Sequence, residues 1–309
     1  LPNTFIWSGR VDDDPSSTRF HQKVQQVNIN GLLKASALPH FGLVGFACDE
    51  GVRRNQGRVG AALAPNEIRT QLGTIPYHLQ EAEIIDVGNV NCTDENLEES
   101  QKKLGETVAN LYHYGYTPII IGGGHETFYG HYLGARRYLG NEPTIGIINI
   151  DAHFDLRKAN EPSSGTMFRQ ILEEDKNAAY LCLGIQRFGN TKSLFEAAEK
   201  YNCEYVFEEE LENVEALKNT IQRFVKKYDS IILTLCMDVL DGAAAPGVSA
   251  PSPFGLDPKT VRSLIRQIVS YDNVLSFDLS EVNPKVDEGN KTSKLAAYFL
   301  AEAMDYFSK

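Results

Sequence analysis

No two of the five cysteines (Cys48, Cys92, Cys182, Cys203 and Cys236) stand at CxxC spacing, and their number is odd, which argues against a disulfide framework. Some lie in apolar stretches such as YLCLGI, where a thiol behaves as a small hydrophobe. No apolar run reaches the ~18–20 residues that a membrane-spanning helix needs. A basic tract is also missing. The 30 Lys and Arg face 41 Asp and Glu, and the formal charge of −11 repels phosphate backbones, so nucleic acid is not an expected partner. A GxxxxGK[ST] phosphate loop is absent, and no Ser or Cys sits in a GxSxG elbow, which removes nucleophilic-triad chemistry. Leu1–Asp14 has no basic segment followed by an apolar one, so no secretion signal is expected. Cytoplasm is then the expected compartment and a small molecule the expected partner.

What the chain does have is an alternation of apolar runs with amphipathic segments. With 309 residues, 42% hydrophobic and 23% charged, it can bury a large core. The runs are Phe41–Cys48, Glu83–Val90, Thr117–Gly124, Ile145–His153, Tyr180–Gln186, Glu204–Phe207, Ile231–Val239 and Asn273–Val282. They are rich in β-branched residues and almost continuously apolar, as parallel strands covered on both faces are. Between them, Leu97, Leu104, Val108 and Leu111 predict one helix, stopped by Gly115, and Val214, Leu217, Ile221, Phe224 and Val225 predict another. Asp257 and Pro258 form an N-cap and first-turn pair opening the stripe Val261, Leu264, Ile265 and Ile268. Eight strands with intervening helices predict an α/β fold, three αβα layers around a mainly parallel sheet. No repeat or linker divides the chain, so one domain over 1–309 is expected, with residues 1–40 as an N-terminal extension packed on it. Asp12–Arg19 is polar and reads as a loop.

The chemistry sits at the C-terminal ends of the runs, the edge where open α/β sheets bind ligands. Gly122-Gly123-Gly124 lets backbone approach a ligand and aims His125, although a plain tight turn fits the same residues. In Asp151-Ala152-His153-Phe154-Asp155, extended backbone would turn residues 151, 153 and 155 to one side. Two acids converging with an imidazole repel one another, and a divalent cation resolves that conflict. Cys236 and Asp238 share a face after the next strand, with Asp241 out of period. The Pro- and Gly-containing segment Ala245–Pro251 suits a rigid loop near a site. Glu281, after the last strand, suits either a grip on a cationic group or a loop carboxylate.

Together these pieces resemble the ureohydrolase (arginase–agmatinase–formimidoylglutamase) family. In order, GGGHE at 122–126, DAHFD at 151–155, SSGTMFR at 163–169, CMDVLDGAAAPGVSAP at 236–251 and EVNP at 281–284 carry a resemblance that spans roughly Gly45 to Met304. Within the family, DEGVRRNQGRVG (Asp49–Gly60) and APGVSAP (Ala245–Pro251) are most similar to the formimidoylglutamase branch. The resemblance implies an arginase-like αβα fold with a central eight-stranded parallel sheet and a site for two manganese ions. It also implies hydrolysis of N-formimidoyl-L-glutamate to L-glutamate and formamide in histidine degradation. Residue by residue, it makes His125, Asp151, His153, Asp155 and Asp238 metal ligands, with Asp151 bridging, and Glu281 the carboxylate facing the cationic end of the substrate. Family members are commonly oligomeric, which leaves a homo-oligomer open.

Two departures stand out. Cys236 takes the place of the family's bridging carboxylate and joins the ligand set as a thiol, whose softness favours zinc or iron over manganese. Ser164 stands where agmatinase-type members carry His, so no histidine proton shuttle is implied. Asp155 is the candidate for passing a proton to the leaving amine, because a ligand carboxylate can hydrogen-bond the bridging water. For the two carboxylates of the glutamate half, Arg53, Arg54 and Arg58 are the candidate partners, with Arg187 a further one. Two other readings stay open: a ureohydrolase of the agmatinase or guanidinobutyrase type, and a non-catalytic relative whose Cys236 weakens the metal site.

Overall fold

The apolar runs become parallel strands, mostly buried on both faces; Glu204–Phe207, at one edge of the sheet, is only half-buried. A computed structural model describes residues 5–14, 16–35, 39–80 and 82–308. The strands are β1 (Val24–Gln26), β2 (His40–Ala47), β3 (Glu83–Asn91), β4 (Thr117–Ile121), β5 (Ile145–Ile150), β6 (Ala178–Ile185), β7 (Glu204–Phe207), β8 (Ser230–Cys236) and β9 (Val274–Ser280). They form one sheet in the order β1-β3-β2-β4-β9-β8-β5-β6-β7, every pairing parallel. The helices are α1 (Glu50–Arg54), α2 (Ala64–Thr74), α3 (Leu97–His113), α4 (Thr127–Leu139), α5 (Met167–Glu174), α6 (Lys192–Lys200), α7 (Val214–Lys227), α8 (Pro258–Val269) and α9 (Lys291–Phe307).

Successive strand residues feed opposite layers, the period of two expected of a strand. Leu43, Ile119 and Ile121 join the core under α2, α7, α8 and α9, whereas Val44 and Ile120 join the core under α3, α4, α5 and α6. The predicted helices form where their stripes lie, and the Asp257 side chain caps α8 by accepting from the Lys259 N–H. Val214 departs from its stripe: it is the first residue of α7 and is 73% exposed, one turn too early to meet the sheet.

The sheet has nine strands among the described residues, not eight. The extra strand, β1, lies in the segment read as an extension and pairs with the edge of β3. Its sequence, VQQ, is polar and partly exposed, so it carries no hydrophobic signal. Phe20 is buried in the first core, Arg19 bridges to Pro76, and the Trp7 indole N–H donates to Asp86 at 2.9 Å. Residues 1–4, 15 and 36–38 of that segment lie outside the described residues. No described helix is long and apolar enough to cross a membrane.

An arginine–carboxylate pair lies wholly inside. Arg69 on α2 donates to both oxygens of Asp86 on β3, at 2.9 and 2.8 Å, and both side chains are 0% exposed. Removing one partner strands the other's charge in a low-dielectric core. Arg69→Met should therefore lower stability by about 3–5 kcal/mol, read as a shift in the urea midpoint. A midpoint shift too small to account for 1 kcal/mol would show that the Trp7 and Gly88 N–H groups suffice to hold the Asp86 charge.

Candidate metal centre and cavity

The strand order puts four chemically loaded strand ends side by side. β4, β9, β8 and β5 are consecutive neighbours. The residues that follow or end them are therefore brought to one stretch of the sheet edge: His125, Glu281, Cys236 with Asp238, and Asp151 with His153 and Asp155. The glycine turn after β4 is sterically obligatory. A Cβ at Gly123 would run into the carbonyl of Cys48 on the neighbouring chain segment, so backbone packs there where a side chain cannot.

Asp151 is fully buried, and its two oxygens face different partners. Oδ1 accepts from the His153 backbone N–H at 2.8 Å, and Oδ2 accepts from Asn149 at 3.0 Å and lies 3.1 Å from His125 Nδ1. His125 Nδ1 is also 3.0 Å from Asp155 Oδ2, while His153 Nδ1 lies 3.3 Å from Asp238 Oδ2. The donor atoms fall into two trios, each within 4.8 Å of one another: His125, Asp151 and Cys236; and Asp151, His153 and Asp238. Asp151 belongs to both. Cys236 belongs to the first alone.

Behind His125 runs a buried chain that the sequence did not suggest. His125 Nε2 meets Thr234 Oγ1 at 3.1 Å, Thr234 donates to Asp278 Oδ1 at 2.8 Å, and Asp278 Oδ2 meets His131 Nδ1 at 2.7 Å. All four side chains are buried. Such outer hydrogen bonds fix a ring's tautomer, here turning Nδ1 toward the carboxylates.

The convergence does not come from simple strand alternation. β5 ends at Ile150, and Asp155 adopts φ +50°, outside extended geometry. Glu281 has φ +74° and Gln56 φ +61°. Left-handed backbone at a non-glycine residue costs on the order of 1–3 kcal/mol and collects at functional sites. All three residues line the same cavity.

That cavity measures about 310 Å³. His125, His153, Asp155, Cys236, Asp238 and Glu281 line it, together with Asn55, Arg157, Ser164 and Ser249. Burial pushes the Glu281 carboxyl well up, and the nearby carboxylates of Glu126 and Asp238 add to that. Its Oε1 accepts from the His125 backbone N–H at 2.8 Å, and Oε2 has no hydrogen-bond partner among the described residues. Asp155 is raised to about 6, by burial first and then by the charge of Asp151. Burial alone would raise Asp151 and lower both histidines. The hydrogen bonds and charges they share reverse this, so Asp151 is lowered and His125 and His153 are raised. The imidazoles thus stand in for positive charge that the acids demand. Asp238 Oδ1 is buried without a hydrogen-bond partner among the described residues. With carboxylate, imidazole and thiol donors gathered and one acceptor orphaned, the residues fit a pair of divalent cations.

The three arginines meet different fates. Arg53 holds both oxygens of Glu50 at 2.7 Å and reaches Glu95; Arg54 pairs with Glu50 at 2.8 Å and Glu98 at 2.7 Å. Neither lines the cavity, because the acids around α1 neutralise them. Arg58 does line it, yet its guanidinium donates to the carbonyls of Ser249 and Val248, tying the 245–251 loop in place. Arg187 stacks over Phe207 outside the cavity. Asp241 caps its own turn through the Ala243 N–H. The arginine missed by sequence reasoning is Arg157, which lines the cavity and has no side-chain partner among the described residues. Its signal was its place two residues after Asp155, in DAHFDLR.

Glu126, next to His125, is 0% exposed; Oε1 accepts from the Gly51 N–H at 2.8 Å and Oε2 has no partner among the described residues. Burial pushes its carboxyl up from 4.5 to about 7. A folded-state pKa above the unfolded one means the native state holds the extra proton, so stability falls as pH rises from 4.5 to about 7. In metal-stripped protein, Glu126→Gln should remove a penalty of about 3 kcal/mol above pH 7 and change little below pH 4.5. Thermal melts across that range test this; parallel curves for both proteins would contradict it.

Residues 39–305 match the sequence model of the arginase family. The chain belongs to that family. A formimidoylglutamase of Geobacillus sp. (strain WCH70) is 54% identical over 314 residues, covering 100% of this chain and 96% of that protein. Among solved structures, the formimidoylglutamase from Bacillus subtilis superposes with a TM-score of 0.86 at 25% identity, over 97% of this chain and 95% of that one. The formiminoglutamase of Trypanosoma cruzi, solved with Mn²⁺, shares the fold with a TM-score of 0.80 at 24% identity, over 92% and 99%. The arginase-family fold thus agrees with the three-layer, parallel-sheet reading, with one further strand.

Proposed function

We propose that this chain hydrolyses N-formimidoyl-L-glutamate to L-glutamate and formamide, a step of histidine degradation, with two divalent ions, manganese among them. The observation that carries this reading is one cavity lined both by five of the six candidate metal ligands, all but Asp151, and by Arg157, whose guanidinium has no partner among the described residues. The substrate has a cationic amidine at one end and two carboxylates at the other, and the lining offers the opposite charge to each. The 54% identical relative named formimidoylglutamase supports it.

His125, Asp151, His153, Asp155, Cys236 and Asp238 would hold the ions. When bound, paired dications supply a solvent molecule ionised near neutral pH. Glu281, anchored through Oε1, presents Oε2 to an amidine N–H. A cation arriving there favours the ionised carboxylate, opposing the burial that raises its pKa. Asp155, turned into the cavity, takes the proton from the attacking solvent molecule and returns it to the nitrogen that leaves as the glutamate amine. Arg157 offers parallel N–H donors to a carboxylate, and Ser164 and Asn55 add polar contacts beside it.

The deciding experiment incubates metal-loaded protein with formimidoylglutamate, arginine, agmatine and guanidinobutyrate in parallel and identifies the products. Formamide and glutamate from the first alone is the expected result. Urea from a guanidino compound, with formimidoylglutamate inert, would overturn the assignment.

A further inference from the structure

The two trios share Asp151 but differ in donor chemistry and in access. His125, Asp151 and Cys236 are all buried, and one of the three donors is sulfur. Asp151, His153 and Asp238 offer only nitrogen and oxygen, and the His153 side chain is 28% exposed. A bridging carboxylate has two oxygens to divide between two ions. Cys236 has a single Sγ, and that atom groups with the first trio alone. The orphaned Asp238 Oδ1 is a second, independent sign that the pocket is shaped for a ligand. Sulfur donors select softer ions such as zinc or ferrous iron, whereas carboxylate and solvent suit manganese.

Resting on the binuclear reading above, we propose that the two metal positions are unequal. The inner one, at Cys236, takes a soft divalent ion through a thiolate bond, and the outer one, at Asp238 and His153, takes a hard one. Replacing the sulfur by a carboxylate should erase the difference. Being buried, the inner position should also exchange its ion more slowly than the outer.

Two readouts other than activity test this. Metal-stripped full-length protein titrated with Co²⁺ should develop a sulfur-to-cobalt charge-transfer absorption in the near ultraviolet. The band should be lost in Cys236→Ser and Cys236→Asp and kept in Cys182→Ser, because Cys182 donates to the main-chain carbonyl of Asp151 instead. Loaded from a mixture with manganese in large excess over zinc and then freed of unbound metal, the wild type should retain one ion of each kind, and Cys236→Asp two manganese ions. No thiolate band, a band that survives Cys236→Ser, or identical metal content in wild type and Cys236→Asp would each overturn the proposal. Hydrolysis of formimidoylglutamate by a wild type that lacks the band would sink this inference and leave the proposed function standing. Failure to bind any divalent ion would sink both.

Discussion

Replacing Asp151 with Asn should leave the chain folded and lower turnover by more than ~10³-fold, well beyond the 10–100-fold that loss of an outer hydrogen-bond partner costs. Among the described residues Asp151 is the side chain common to both trios, so its charge would count at both proposed metal positions. An amide keeps the shape and can still accept from the His153 N–H. Its NH₂ then faces Asn149 Nδ2, donor against donor, where the carboxylate accepted at 3.0 Å. Metal per chain should fall below two in the same preparation, while far-ultraviolet circular dichroism stays unchanged. A variant that holds both ions and works within tenfold of the wild type would remove Asp151 from the centre.

Arg157→Met should act on binding and spare the chemical step. A hydrogen bond to a charged group contributes about 1.5–3 kcal/mol, so losing the guanidinium should raise KM for formimidoylglutamate by roughly 10- to 100-fold, with kcat within about threefold. An amidine without carboxylates should be turned over equally by both proteins. Arg54→Met is the informative control. It strips Glu50 and Glu98 of a partner, so it should cost stability and leave KM nearly unchanged. If Arg54→Met raises KM and Arg157→Met does not, the carboxylate partner lies on α1 after all.

The arginines show where reading a sequence reaches its limit. Arg53, Arg54 and Arg58 form a dense basic cluster near a strand end, whereas Arg157 has only Lys158 beside it. Whether a guanidinium is available depends on which acids the fold places beside it. Glu95 and Glu98 lie some 40 residues away in sequence and take up the cluster's charge. The buried run from His125 through Thr234 and Asp278 to His131 was hidden for a similar reason: each residue alone reads as an ordinary polar residue inside or beside an apolar segment.

The sequence by itself determined the strand-and-helix alternation and the residue types waiting at the ends of β4, β5, β8 and β9. Hydrophobic period and turn chemistry are local properties, and those motifs are local too. It also determined that a thiol stands at 236, a fact no fold can change. Only the tertiary structure decided that these four strands are neighbours, that left-handed backbone at Asp155 and Glu281 aims their carboxylates inward, and that Cys236 groups with His125 while Asp238 groups with His153. Strand order is set by how distant helices cover the sheet, and side-chain grouping by angles at single residues. Neither leaves a periodic trace in the chain.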